Sequence, residues 1–196
     1  MLLLTRWQVK GKENIPCQGP LLIVANHLSL ADPPVLGAAI SRKAVFMAKE
    51  ELFQHRFSNY FVRNCGAFPV RRGGLDRKAL KQAEQILAQG MALIIFPEGK
   101  RSDDSQLQPA FPGSALIASR SGAPILPVGI IGTEKIRGST WWLHRPRITV
   151  NIGHVFQPPS SNGKLTRIER ARLTNSIMEH IAGLLPPEYR GDYGKR

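Results

Sequence analysis

The chain has 196 residues, of which 42% are hydrophobic and 21% charged, proportions that fit one globular domain and exclude a wholly disordered chain. Its 27 Lys and Arg residues outnumber its 14 Asp and Glu residues, which gives a net charge of +13. Such an excess predicts an anionic partner. Nucleic acid, an anionic membrane surface and a phosphorylated substrate all meet that description.

The cysteine content and the hydropathy of the chain indicate in which cellular compartment the protein works. The two cysteines, Cys17 and Cys65, are too few for a disulfide framework or a four-ligand zinc site. The longest apolar runs, at 21–25 and 91–96, fall well short of the roughly 20 residues of a membrane-spanning helix. The apolar run at 1–4 is too short for the core of a signal peptide. We therefore expect an intracellular protein that is either soluble or peripheral to a membrane.

Short apolar runs alternate along the chain with segments of helical spacing, which predicts an α/β sheet domain. Thr166 and Glu169 have the spacing of a capping box at the start of the last helix, and the polar tail at 188–196 is expected to fray. In chain order the predicted elements are strands at 21–25 and 44–48, a helix over 50–64, a strand at 67–70, a helix over 75–89 that Gly90 ends, a strand at 91–96, a helix over 113–121, strands at 125–131 and 147–152, and a helix over 166–185.

The first group of chemically active side chains, His27 and Asp32, follows the predicted strand at 21–25. On a regular helix, residues five positions apart point about 140° away from each other, so this pair meets only if the chain turns. Pro33 and Pro34 favour such a turn, because proline is preferred in the first turn of a helix. One interpretation makes Asp32 a helix N-cap and His27 a loop histidine. The other makes His27 a general base that a carboxylate orients.

Two further polar stretches follow predicted strands. Arg71 and Arg72 lie beside a Gly-Gly pair, which suits a phosphate because guanidinium groups supply planar donors and glycine lets backbone amides approach. The stretch at 96–102 lies at a strand end, where ligands collect in open α/β sheets. Either stretch alone is explained by a solvated charged turn, but three such stretches after apolar strands make coincidence much less credible. Turn, loop and core positions explain the possible nucleophiles Ser29, Cys17 and Cys65 more simply than catalysis does.

Together these stretches resemble the glycerolipid acyltransferase family, whose best-known members make phosphatidic acid from 1-acyl-glycerol 3-phosphate. The resemblance covers roughly residues 8–155, and we interpret 1–196 as a single acyltransferase domain with a C-terminal helix at 166–185. Four blocks match in order: Asn-His-x-x-x-x-Asp at Asn26, His27 and Asp32; a Pro-Val-x-Arg-like run at Pro69, Val70 and Arg72; Phe-Pro-Glu-Gly-Thr-Arg-Ser at 96–102, with Lys100 in place of the threonine; and a Val-Pro-Val-like strand at Leu126, Pro127 and Val128.

The resemblance implies a central, mostly buried mixed β-sheet flanked by helices. It also implies acyl transfer from acyl-CoA or acyl carrier protein to the hydroxyl of a lysophospholipid, with no metal or cofactor. The first acceptor to consider is 1-acyl-sn-glycerol 3-phosphate, which gives phosphatidic acid; glycerol 3-phosphate and other lysolipids are the alternatives. His27 would be the base and Asp32 its orienting carboxylate. The substrate-binding residues would be Arg72 and Arg101 at the acceptor phosphate, with Glu98, Gly99, Lys100 and Ser102 around them, although Glu98 has a structural explanation too.

A basic nucleic-acid-binding protein is the alternative from another class, and the net charge of +13 supports it. However, no aromatic-basic RNA signature or zinc-finger spacing accompanies that charge, and aromatic residues make up only 7% of the chain. Positive charge suits an anionic bilayer equally well. We therefore expect no nucleic-acid partner, and a cytoplasmic protein peripherally associated with the cytoplasmic membrane. Trp7, Trp141 and Trp142 are expected either to reach into the membrane interface or to pack in the core.

Overall fold

The structure is a computed structural model that describes residues 5–54, 56–64, 66–71, 76–138, 140–159 and 165–194. Within these residues seven strands join into one sheet. In chain order they are β1 (Arg6–Lys10), β2 (Leu21–Ala25), β3 (Ala44–Lys49), β4 (Ala67–Val70), β5 (Ala92–Ile95), β6 (Ile125–Ile131) and β7 (Arg147–Ile152).

The sheet is mixed, and its order is β1-β7-β6-β2-β5-β3-β4. Every neighbouring pair from β6 to β4 is parallel, whereas β7 runs antiparallel to β6 and β1 runs parallel to β7. The predicted fold class is therefore confirmed. Because β6, β2 and β5 are adjacent and parallel, their carboxyl ends share one edge of the sheet, and the loops that follow them meet there.

Helices cover both faces of the sheet. In β2 all five residues are buried, as expected for a strand covered on both faces. Leu22 and Val24 pack on the same side as the helices Arg77–Ala88, Gly113–Ser121 and Arg167–Ala182, whereas Leu21 and Ile23 pack on the same side as the helix Asp32–Ala39. None of the helices in the described ranges has the length and apolar character needed to cross a bilayer. In chain order the helices are α1 (Asp32–Ala39), α2 (Arg56–Asn64), α3 (Arg77–Ala88), α4 (Gly113–Ser121) and α5 (Arg167–Ala182).

Two predicted helices have different bounds in the structure. The segment 50–64 is a 3-10 turn at Glu50–Phe53 followed by α2, and not one continuous helix. The helix predicted over 75–89 begins at Arg77, because the side chain of Asp76 caps it by accepting hydrogen bonds from two backbone N–H groups of its first turn. It ends as predicted before Gly90, whose φ of 73° provides the left-handed turn that follows a helix.

The last helix confirms its predicted start. Thr166 and Glu169 form the full capping box, with each side chain bonded to the other residue's backbone. The helix ends at Ala182, so it is shorter than the predicted span of 166–185.

Two parts of the fold differ from the sequence expectation. The sequence expectation does not include β1, a five-residue strand at the edge of the sheet whose pairing partner β7 lies about 140 positions further along the chain. The tail, expected to fray, is attached to the body: Tyr189 is 8% exposed and its carbonyl oxygen accepts a hydrogen bond from the Leu107 backbone N at 2.8 Å. The Tyr189 hydroxyl donates to Glu134 Oε1 at 2.7 Å.

Candidate active site

The loop after β2 brings His27 and Asp32 into direct contact. His27 Nδ1 lies 2.7 Å from Asp32 Oδ2. Asp32 is completely buried and His27 is 9% exposed. The chain therefore turns between β2 and α1, as contact between the two residues required. Among the described residues, His27 Nε2 has no hydrogen-bond partner.

Backbone groups of the same loop hold the Asp32 carboxylate. The backbone N atoms of Leu28 and Ser29 donate to Asp32 Oδ2 at 2.6 and 2.7 Å. Asp32 is the first residue of α1, and Ala31 stands at the N-cap position without a side-chain cap. The interpretation of Asp32 as an N-cap is therefore wrong, since its side chain turns back to the loop instead of capping the helix. Ser29 occupies the turn, as its simpler explanation stated.

His27 is also fixed through its backbone and its ring. Its backbone N donates to Glu98 Oε1 at 2.8 Å, and its carbonyl oxygen accepts from the Ser102 backbone N at 2.8 Å. Its ring stacks on Phe96, with centroids 4.2 Å apart and planes inclined by 19°. The loop after β5 thus supports the histidine from three directions. Asn26 fixes the other side by pairing its amide with both backbone groups of Ile130 in β6, at 2.7 and 2.9 Å.

Glu98 lies beneath this loop and is 1% exposed. One carboxylate oxygen accepts from His27, and the other accepts from the Gln108 backbone N at 2.8 Å. Burial raises the pKa of Glu98 to about 7, against the lowering effect of the Gln108 and His27 backbone N–H groups and with a smaller raising effect from Asp32. Both oxygens therefore accept hydrogen bonds from backbone N–H groups, which favours the structural explanation of Glu98.

A cavity of about 340 Å³ opens beside the His27 loop, at the carboxyl edge of the sheet. His27 itself does not line it, but the two residues that follow His27 do. The wall carries two guanidinium groups, two serines, a carboxylate and three apolar side chains, a composition suited to an amphiphile with an anionic group. The lining residues are Leu28, Ser29, Leu30, Arg101, Ser102, Asp103, Ile136 and Arg137.

The other residues of the stretch after β5 take different positions. Gly99 has a φ of 66°, and a Cβ atom there would lie 2.8 Å from Cδ2 of Phe111, so glycine allows that ring to lie against the backbone. Lys100 is exposed and does not line the cavity. Ser102 is 2% exposed, and its hydroxyl donates to Asp104 Oδ1 at 2.8 Å. That hydrogen bond is the main cause that lowers the pKa of Asp104.

Some predicted residues fall outside the described ranges. Arg72 and Cys65 are among them, so the structure does not say where the Arg72 side chain lies. Arg71, the residue before Arg72, is described, and its Nε donates to Glu50 Oε2 at 2.7 Å. β4, which leads to these arginines, is three strands from β2, or about 14 Å along the sheet at the usual strand spacing. Cys17 is exposed in the loop before β2.

Sequence reasoning missed Thr133 and Arg137, which lie after β6. Thr133 is completely buried and its hydroxyl donates to Asp32 Oδ1 at 2.5 Å. Arg137 lines the cavity together with Arg101. Neither belongs to a matched motif. The only signal in the sequence was their position just beyond a buried strand, and that signal becomes useful once β6 is known to lie beside β2.

Comparison with protein families places most of the chain in one match. The family model described as acyltransferase matches residues 6–131, a segment that contains His27, Asp32 and the stretch at 96–102.

Individual relatives agree with this match. The chain is 32% identical over 163 residues to a 1-acyl-sn-glycerol-3-phosphate acyltransferase of Streptococcus pneumoniae, covering 79% of this chain and 59% of that protein. It is 33% identical over 141 residues to a lyso-ornithine lipid O-acyltransferase of Pseudomonas aeruginosa, covering 65% of this chain and 53% of that protein. The chain thus spans less than two thirds of the length of either relative.

A solved structure shares the fold. The crystal structure of the 1-acyl-sn-glycerophosphate (LPA) acyltransferase PlsC from Thermotoga maritima superposes with a TM-score of 0.71 at 29% identity. The superposition covers 93% of this chain and 72% of that chain.

Proposed function

The chain belongs to the acyltransferase family, and from that premise we propose that it transfers a fatty acyl group to the hydroxyl of a lysophospholipid. The proposed acceptor is 1-acyl-sn-glycerol 3-phosphate, the substrate in the name of the Streptococcus pneumoniae relative, and the product is then phosphatidic acid. The proposed donor is a fatty acyl thioester of coenzyme A or of acyl carrier protein.

One observation carries this proposal: the contact of 2.7 Å between His27 Nδ1 and Asp32 Oδ2, which leaves Nε2 without a described protein partner. The two residues that follow His27 line the cavity. A carboxylate on Nδ1 keeps the proton on that nitrogen, so Nε2 is the free base. In the proposed first step, Nε2 takes the proton of the acceptor hydroxyl while the oxygen of that hydroxyl forms a bond to the thioester carbonyl carbon. Asp32 stabilises the imidazolium that results.

In the second step the tetrahedral intermediate collapses and the C–S bond breaks. The imidazolium returns its proton to the departing thiolate, so the free thiol and the new ester leave a neutral histidine behind. The acceptor itself supplies the attacking oxygen, so Ser29 and Cys17 need no nucleophilic role. No metal or cofactor is part of the proposal, since the thioester donor is already activated.

We assign the acceptor phosphate to the cationic end of the cavity. Arg101 and Arg137 both line it, and the residue after Arg101, Ser102, donates its backbone N–H to the His27 carbonyl oxygen. Guanidinium groups suit phosphate because they offer paired donors of fixed geometry. Arg72 stays a proposed second phosphate ligand on the strength of its motif. Lys100, exposed and outside the cavity, is better placed to meet the phosphates of the donor's coenzyme A.

The identity of the acceptor needs its own test, because the Pseudomonas aeruginosa relative is named for an ornithine lipid. The test is a panel of acceptors with labelled acyl-CoA and acyl carrier protein: 1-acyl-sn-glycerol 3-phosphate, glycerol 3-phosphate and phosphate-free lysolipids. We expect 1-acyl-sn-glycerol 3-phosphate to give the highest kcat/KM. Preference for a phosphate-free acceptor would contradict the phosphate assignment, and no transfer to any acceptor would contradict the function.

We also propose that the protein attaches peripherally to an anionic membrane through the edge that carries the cavity. Leu30 and Phe111 are 68% and 61% exposed there, close to the exposed cations Lys100 and Arg101. Apolar side chains among cations suit an interface with acidic headgroups. The tryptophans contribute less to this proposal: Trp7 packs against the core on the α1 side, and the side chain of Trp142 lies outside what the structure describes.

A further inference from the structure

Thr133 lies on the short turn that follows β6 and is completely buried. Its hydroxyl donates to Asp32 Oδ1 at 2.5 Å, although 101 positions separate the two residues in the chain. Because Thr133 is completely buried and its hydroxyl is already bonded to Asp32, its side chain is placed to act on Asp32 and not on a substrate.

The turn that carries Thr133 is fixed from both sides. Gly132 has a φ of 91°, and a Cβ atom there would lie 2.0 Å from the carbonyl oxygen of Arg147, so only glycine allows this close approach to β7. On the other side, Glu134 accepts the hydroxyl of Tyr189 at 2.7 Å. The hydroxyl of Thr133 therefore reaches Asp32 from a rigid support that is separate from the His27 loop.

The two oxygens of Asp32 have different partners. Oδ2 accepts hydrogen bonds from Leu28 and Ser29 and contacts His27, all of which belong to one loop. Among the described residues, Oδ1 accepts only from Thr133. Thr133 is therefore the contact that ties the carboxylate to the neighbouring strand β6 and fixes its rotation about the Cβ–Cγ bond.

We infer that Thr133 is a positioning residue for the His27–Asp32 pair: its hydroxyl holds the carboxylate so that Oδ2 faces Nδ1 and Nε2 faces the acceptor. This inference rests on the proposed function of His27 as the base. Loss of the hydroxyl frees the carboxylate to rotate and weakens the control of the imidazole. Because Thr133 does not touch the cavity, the loss affects turnover and leaves substrate binding unchanged.

The test compares Thr133→Val, which keeps the shape and removes the hydroxyl, with Thr133→Ser, which keeps the hydroxyl. We expect Thr133→Val to lower kcat on the order of 10- to 100-fold with both KM values unchanged, and Thr133→Ser to recover most of that loss. Thr174→Val is the matched control. It also removes a buried threonine hydroxyl, which donates to the Arg170 carbonyl oxygen at 2.8 Å in α5, and it should leave kcat unchanged. If Thr133→Val does not fold, Thr133→Cys takes its place. Because cysteine keeps a weak S–H donor, its kcat is expected to lie between the values expected for Thr133→Ser and Thr133→Val.

Two readouts separate this inference from the proposed function. The strongly downfield proton resonance of the His27 Nδ1–H bonded to Asp32 should be present in the wild type and in Thr133→Ser and shifted or lost in Thr133→Val. In a His27→Ala background, Thr133→Val should cause no further loss of activity. A wild-type kcat in Thr133→Val, an unchanged resonance, or an equal loss in the His27→Ala background would overturn the inference alone. Wild-type activity in His27→Ala would overturn the proposed mechanism instead.

Discussion

The substitution Glu98→Gln replaces a buried carboxyl group beneath the His27 loop with an amide that does not ionise. Burial raises the pKa of Glu98 to about 7 in the folded protein, whereas the ordinary value, which the unfolded chain has, is 4.5. Between these two values the folded protein holds a proton that the unfolded chain has released. The free energy of unfolding therefore falls as the pH rises through this window.

The magnitude follows from the width of the window. Each pKa unit corresponds to about 1.4 kcal/mol, so the difference between the two states amounts to roughly 3 kcal/mol. This contribution is fully present below pH 4.5 and is lost above about pH 7. It has the opposite sign to that of Asp76 and Asp104, whose pKa values are lowered by hydrogen bonds to their carboxylates, chiefly from the Arg71 backbone N–H and the Ser102 hydroxyl.

The assay is urea unfolding of the wild type and of Glu98→Gln at several pH values across this window. Because glutamine does not ionise, the stability of the wild type minus that of the variant should fall by roughly 3 kcal/mol between the acid and neutral ends. Asp76 and Asp104 titrate in both proteins and cancel in this difference. A difference that does not change with pH would refute the raised pKa of the buried Glu98 carboxyl.

Three further predictions concern the substrates and the membrane. Arg101→Ala is expected to raise the KM for the phosphate-bearing lysolipid acceptor far more than the KM for acyl-CoA, while Arg120→Ala at the end of α4 changes neither. An equal rise in the KM for a phosphate-free acceptor would contradict the phosphate contact. Lys100→Thr is expected to raise the KM for acyl-CoA several-fold through loss of a charge-assisted contact, and unchanged KM values for both substrates would make Lys100 a surplus surface charge. Co-sedimentation with anionic vesicles is expected at low salt and should fall sharply as salt rises, since each basic residue near such a surface contributes about 1 kcal/mol; salt-independent binding to neutral vesicles would remove the electrostatic attraction, and no binding to any vesicle would remove the membrane proposal.

The sequence predicts well those features that depend on neighbouring residues. The strand at 125–131 and the helix at 113–121 have the predicted bounds, because apolar runs and helical spacing are local signals. The capping box of Thr166 and Glu169 is local in the same sense. The contact between His27 and Asp32 is also within reach, since two prolines directly after the pair favour a turn.

What the sequence does not reveal depends on which strands become neighbours. β1 has the polar–apolar alternation of a strand, but it is only five residues long and lies at the edge of the sheet, and its partner β7 begins about 140 positions later in the chain. Thr133 reaches Asp32 only because β6 lies beside β2. Arg137 joins Arg101 in one cavity for the same reason. The sequence leaves two interpretations of Glu98 open, and its contact with the His27 backbone favours the structural one.

The most direct test of the central claim is the turnover of His27→Ala with 1-acyl-sn-glycerol 3-phosphate and labelled acyl-CoA. We expect kcat to fall roughly 10²- to 10⁴-fold, the usual contribution of a general base, with an unchanged circular dichroism spectrum and unchanged donor binding. His154→Ala is the matched control, because this histidine is exposed after β7, at the opposite edge of the sheet from the cavity, and should retain wild-type turnover. Turnover close to wild type in a folded His27→Ala protein would contradict the claim that His27 is the base.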